Sequence, residues 1–201
     1  MGCKPWEVHS ALEKERLITL ASTIRAVRHR SVELHQPEEG DGHWSLGCRI
    51  YERTINAIAW ESQNIPWLKV IRNNLYFLML IDGVPVRLHK GDIENPDFRV
   101  LRRLPFEIEA EQEQLAFSYF DPKWFWRIVV EPDLDMSVLR IVILQYSTSG
   151  DYRNLWEIPL SAPISTIAPV VHTPQEGIML DEPQVAPKID RTKKAAGNER
   201  K

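Results

Sequence analysis

Apolar positions in the first third of the chain recur every three or four residues. Leu17, Leu20, Ala21, Ile24 and Val27 share one face of a 3.6-residue period, which predicts a helix over roughly 9–34. His35-Gln36-Pro37 ends it, because proline disfavours helical geometry in the residue before it, and residues 38–42 read as a polar, glycine-bearing loop. Leu46, Ile50, Tyr51, Thr54, Ile55 and Ile58 then predict a second helix, capped by the Ser45 hydroxyl and stopped at Asn64-Ile65-Pro66.

From Trp67 the period changes to two. Short β-rich runs separated by Asn73-Asn74 and Asp82-Gly83 predict antiparallel strands near 67–72, 75–81 and 84–90, the Asp-Gly pair being a strong hairpin signal. Leu75 to Ile81 is apolar on both alternating faces, which places it centrally with Phe77 and Met79 buried; Pro85 places the next strand at an edge. Residues 98–104 fit either a strand or a short helix. Glu107 to Phe120 reads as a helix with acidic first turns, where the macrodipole favours them. A second strand set follows near 124–130, 138–146 and 154–160, with turns through Pro132-Asp133-Leu134-Asp135 and Ser147 to Asp151. This order lacks the regular alternation of a parallel α/β fold. It predicts an α+β fold: two N-terminal helices, then an antiparallel sheet of about six strands in two three-strand sets separated by a helix.

Composition adds a boundary. Six of the 14 prolines lie between 159 and 187, no aromatic residue follows His172, and residues 188–201 hold six basic against two acidic groups. Such a segment buries too little apolar surface to offset its ordering entropy. The expected organisation is one domain, 1–171, and a flexible tail, 172–201. The longest apolar run has seven residues, well short of the roughly 20 of a membrane helix. No membrane association is expected, and two cysteines in 201 residues fit a reducing cytoplasm rather than a disulfide framework.

Candidate chemistry is sparse. His35, His43 and Cys48, with Cys3 and His9, show none of the compact zinc-ligand spacings, so no metal is expected. The hydroxyls of Ser147, Thr148 and Ser149 suit a hairpin loop better than a nucleophile elbow, and the nine glycines never form a phosphate cradle, so no catalytic residue and no cofactor are assigned. Glu107, Glu109, Glu111 and Glu113 read as a solvated acidic face, and Asp133 and Asp135 fall in a turn.

Charge and aromatics suggest surfaces instead. Residues 67–103 hold seven basic and four acidic groups, whereas 104–135 hold two and eight. A basic strip through Arg87, Lys90, Arg102 and Arg103 is expected on one accessible face, with ion pairs to the neighbouring glutamates as its internal alternative. Most of the seven tryptophans are expected in the core; Trp124 and Trp126 share a strand face that Trp156 can join, either as packing or as a binding surface. Gln112-Glu113-Gln114-Leu115-Ala116-Phe117 resembles the Gln-x-x-Leu-x-Phe peptide by which replication proteins dock on the bacterial sliding clamp. Here the string falls inside a predicted helix, whereas such peptides bind extended.

The expectation is a soluble, cytoplasmic, non-enzymatic binding or regulatory protein of the inhibitor, antitoxin or accessory type, acting through a protein partner. Arg87, Lys90, Arg102, Arg103, Trp124 and Trp126 are its candidate binding residues. The alternatives are nucleic-acid binding through the basic strip and tail, and a hydrolase assembled from His35, His43, His89, Glu131 and Asp133.

Overall fold

In the computed structural model, which describes residues 2–114, 123–134 and 136–160, the chain opens with a short helix, α1 (Pro5–Val8). Its first proline needs no amide partner there, and the Glu7 carboxylate accepts the Lys4 amide at 2.9 Å. The first long helix is α2 (Lys14–Glu33), five residues shorter at its start than the periodicity suggested. It buries Leu17, Leu20, Ala21 and Ile24. The second, α3 (His43–Glu61), buries Leu46, Ile50, Thr54, Ile55 and Ile58. Ser45 is not its cap. Gly42 holds that position, and the Ser45 hydroxyl donates back to the Gly42 carbonyl at 2.9 Å.

Six strands form one sheet in the order β1 (Leu68–Arg72), β2 (Leu78–Ile81), β3 (Val84–Lys90), β4 (Trp124–Pro132), β5 (Val138–Ser147) and β6 (Tyr152–Glu157). Within each three-strand set all pairings are antiparallel, as the turn signals imply. Asp82 and Gly83 both take positive φ, +47° and +91°, the geometry the two-residue β2–β3 turn requires. The sets join through a parallel pair, β3 with β4, in register from Val86↔Trp126 to Lys90↔Val130, so the sheet is mixed. A parallel neighbour needs a crossover, and the segment between β3 and β4, with α4 (Phe98–Leu101) and α5 (Pro105–Gln114), supplies it.

That join overturns the edge position expected for β3. It lies between β2 and β4, and Pro85 is tolerated because the β4 ladder begins one residue later, at Val86. The β2 run is also shorter than its composition suggested, since Leu75 and Tyr76 leave the sheet. Phe77 and Met79 are buried as expected.

Alternation sorts each strand into two faces, and different helices meet each. Toward α2 and α3 lie Met79, Val86, Leu88, Trp126, Ile128, Ile141 and Ile143, in one aliphatic core with Leu17, Leu20, Ile24 and Ile58. The other face carries a smaller cluster, Phe125, Val129, Val142, Leu144 and Tyr146, with Ile93 and with Val100 of α4. The Tyr146 hydroxyl donates to the Ile93 carbonyl at 2.8 Å, and burial first, then the Glu131 and Asp92 charges, push its pKa up to about 12. All described residues fall in one compact unit, Met1–Ile167; the tail expected from 172 lies outside them. No helix among the described residues is long and apolar enough to cross a membrane.

Candidate functional site

The second sheet face holds more charge than its alternation suggested. Arg87 and Arg127 are paired in register on adjacent strands and project from the same face, toward α5. Arg127 and Glu107 are both 0% exposed, and they form a bidentate pair, Nη1 to Oε1 at 2.5 Å and Nη2 to Oε2 at 3.2 Å. Arg127 Nε donates to the Val100 carbonyl at 3.0 Å, and its guanidinium lies over the Phe125 ring, 4.2 Å from the centroid. Arg87, 6% exposed, donates from Nη1 to the Arg102 carbonyl at 3.0 Å and stands 3.7 Å from Glu107 Oε2. One carboxylate therefore serves two buried guanidiniums. Burial, and Arg127 beside it, lower the Arg87 pKa, and Glu107 opposes them. One turn along α5, Glu111 pairs with Arg103. Glu107 and Glu111 are four apart and so share the helix face turned to the sheet, while Glu109 is exposed. The acidic helix expected to be solvated thus spends two of its carboxylates inside the fold.

His89, on the same sheet face, completes the cluster. Its Nε2 is buried and has no hydrogen-bond partner among the described residues. Burial above all, then Arg127 and Arg87, push its pKa down to about 2, so the imidazole is neutral.

The expected basic strip does not assemble. Arg87 is buried, and Lys90, three residues on, belongs to the opposite sheet face, opposite Val130. Lys90 and Arg102 are exposed, and Arg103 is half-buried on Glu111. The tryptophan expectation holds in part. Trp126 is buried in the aliphatic core, Trp124 is half-buried with the Arg153 guanidinium 4.3 Å above its ring, and Trp156 packs edge-on against Trp6 at 4.8 Å rather than against them. Trp44 and Trp60 are exposed, so the core takes fewer tryptophans than composition implied.

Residues 147–151 form a hairpin turn in which Asp151 accepts from the Ser147 and Ser149 hydroxyls at 3.2 and 2.7 Å. The hydroxyls serve the loop. Both cysteines are free and exposed, His35 lies 3.6 Å from Asp41, and no group of three or more metal-ligating side chains occurs among the described residues. Asp135 and the second half of the Gln112–Phe117 string, residues 115–117, lie outside the described residues.

Two further features escaped the sequence reading. The first is a cavity of about 140 Å³ between the α2–α3 pair and the ends of β3 and β4. Of the residues expected to assemble a hydrolase, only His89 lines it. The second is the loop joining β1 to β2. Leu75 and Tyr76 at its tip are 82% and 53% exposed. The loop is nonetheless held in shape, because the Asn74 carboxamide accepts the Tyr76 amide at 2.8 Å, the Asn74 carbonyl accepts the Tyr51 hydroxyl at 2.9 Å, and Asn73 bonds to Asn56 at 3.1 Å. Asn73-Asn74 was the sequence signal for this turn, but the apolar run that follows disguised its tip as strand. The chain matches no family model, no curated protein and no solved structure, so its function must follow from its own geometry.

Proposed function

We propose that this chain is a non-enzymatic binding or regulatory protein of the cytoplasm that works through a protein partner, with the β1–β2 tip as its anchor. The observation that carries this reading is the pair Leu75-Tyr76, apolar and aromatic, exposed on a loop that three side-chain hydrogen bonds hold in shape. Tyrosine is enriched at binding hot spots, and a loop ordered before binding loses less entropy when it docks. The nucleic-acid alternative is weaker, because Arg87 and Arg103 are committed to Glu107 and Glu111.

The test compares capture from cell lysate by the wild-type chain and by Leu75→Ser/Tyr76→Ser, each with and without nuclease. Both side chains are exposed, so the double variant should keep the wild-type melting temperature. The expected result is a protein partner retained after nuclease and reduced about tenfold or more by the double substitution, the loss of a hot spot of about 1.4 kcal/mol or more. Capture that nuclease abolishes, or that the double variant leaves unchanged, overturns the reading.

A further inference from the structure

The two ends of the sheet differ. At one, β6 is covered: the Asn154 carboxamide accepts the Cys3 amide at 3.2 Å, and Trp6 of α1 packs on Trp156. At the other, β1 closes the strand order, and none of the described residues pairs with its outer side. Alternation shows which backbone groups lie there. The Asp82 amide donates to the Trp67 carbonyl at 2.6 Å, so Trp67 and, two residues on, Lys69 direct their backbone groups toward β2. Leu68 and Val70 therefore direct theirs outward. The Leu68 amide is taken by the Ile65 carbonyl at 3.1 Å, which leaves the Leu68 carbonyl and both backbone groups of Val70 to meet a further strand.

A β-bulge sets the charge of this edge. Lys69 pairs with Leu80 and Arg72 with Leu78, the register slipping between Val70 and Arg72. Leu78 and Leu80 are two apart and share a face, so the bulge brings Lys69 and Arg72 to that face together, whereas a regular strand would send them to opposite sides. Both are exposed, and neither forms an ion pair with a described residue; the Arg72 guanidinium lies over the Phe106 ring of α5, 4.5 Å from its centroid. Bulges and lysines also keep sheet edges from pairing at random. Here they discriminate by charge: a second copy of β1 would set cations against cations, while an acidic strand meets opposite charge.

We infer that β1 accepts an extended acidic segment of the partner protein as an added antiparallel strand, with apolar residues opposite Leu68 and Val70 and carboxylates opposite Lys69 and Arg72. The inference rests on the reading of a protein partner and names what that partner offers: alternating acidic and apolar residues in extended form. Main-chain bonds to β1 supply the affinity, and the two cations select the sequence. The strand leads directly into the tip that exposes Leu75 and Tyr76, so one partner engages both.

Amide hydrogen exchange on the free full-length chain comes first. The Val70 amide should exchange about a hundredfold or more faster than that of Lys69, which faces β2. Equal protection would mean that the edge is already covered, by a second copy if protection rises with protein concentration and by another segment of the chain if it does not, and either result overturns the proposal. The probe is then an acetylated, amidated peptide of three Glu-Val repeats, titrated into the same chain and followed by the NMR amide signals of β1. The expected result is saturable binding at millimolar peptide that slows Val70 exchange. The Lys-Val counterpart should bind about tenfold more weakly, and so should the Glu-Val peptide N-methylated at its valines, which lacks the donors that face β1. Lys69→Glu, at an exposed position, should weaken the Glu-Val peptide about fivefold. No saturable binding, or equal binding of the Lys-Val or the N-methylated peptide, overturns the strand proposal and leaves the capture test of the tip standing, because the peptide covers β1 and not residues 75 and 76.

Discussion

Toward α2 and α3 the central strands present Val86, Leu88, Trp126, Ile128, Ile141 and Ile143; toward α4 and α5 the same strands present Arg87, Arg127 and Glu131 among Val129, Val142 and Leu144. Both faces are buried, and they are stabilised differently. The aliphatic face gains from area removed from water, a term that is non-directional and tolerant of small errors in shape. The charged face must first offset the desolvation of Arg87, Arg127 and Glu107, and the offset comes from the bidentate Glu107–Arg127 pair and from the backbone carbonyls that accept from Arg127 Nε and Nη1 and from Arg87 Nη1. One face therefore degrades gradually under mutation, whereas the other fails when a single partner is removed.

The largest expected effect lies on the charged face. Glu107→Ala strands two buried guanidiniums and should cost about 3–5 kcal/mol in urea denaturation, the range for breaking a buried pair. Glu107→Leu combined with Arg127→Met should recover the part of that loss that belongs to Arg127, because a well-packed apolar pair can replace a buried ion pair, while Arg87 stays without its carboxylate. A double variant no more stable than Glu107→Ala would show that the ions contribute more than they cost.

A smaller effect on the same face depends on pH. In the unfolded chain His89 takes a proton as the pH falls through about 6.5, whereas in the fold its pKa is pushed down to about 2. The folded state thus binds fewer protons in between. Stability from this group is complete above pH 6.5 and is lost as the pH falls from there toward 2, by at most about 1.4 kcal/mol per pH unit. His89→Gln should flatten the acid limb of a melting-temperature profile between pH 6.5 and 5, and an unchanged slope would place the imidazole in water.

The smallest effect belongs to the aliphatic face. Ile128→Val, which removes one methylene from a fully buried side chain, should cost about 0.5–1.5 kcal/mol, independent of pH and salt. A loss as large as that of Glu107→Ala would erase the contrast between the faces.

Much of this fold is legible in the sequence, because local signals set it. The β3 run, the Asp82-Gly83 turn and the buried faces of both long helices follow from period and turn chemistry. The join between the strand sets is not, since whether β3 pairs with β4 depends on a crossover spanning more than 30 residues. Arg87 shows the same limit at one position. Alternation places it opposite Val86 and Leu88, which is correct, but which side meets water is decided by α5. The acidic helix likewise reads as a solvated face until Glu107 and Glu111 are seen to share a turn directed at Arg127 and Arg103. The candidate anchor was hidden for a third reason, that Leu75 and Tyr76 have the composition of strand residues although Asn74 holds them in a turn.

The contrast rests on charge being neutralised inside the fold rather than displayed on it, and a double-mutant cycle between Glu107 and Arg127, with Glu107→Gln and Arg127→Met at low and high salt, tests it most directly. The expected result is a coupling of about 2 kcal/mol or more that changes little with salt, as for a pair removed from water. A coupling below about 0.5 kcal/mol that salt removes, the behaviour of an exposed ion pair, would contradict it.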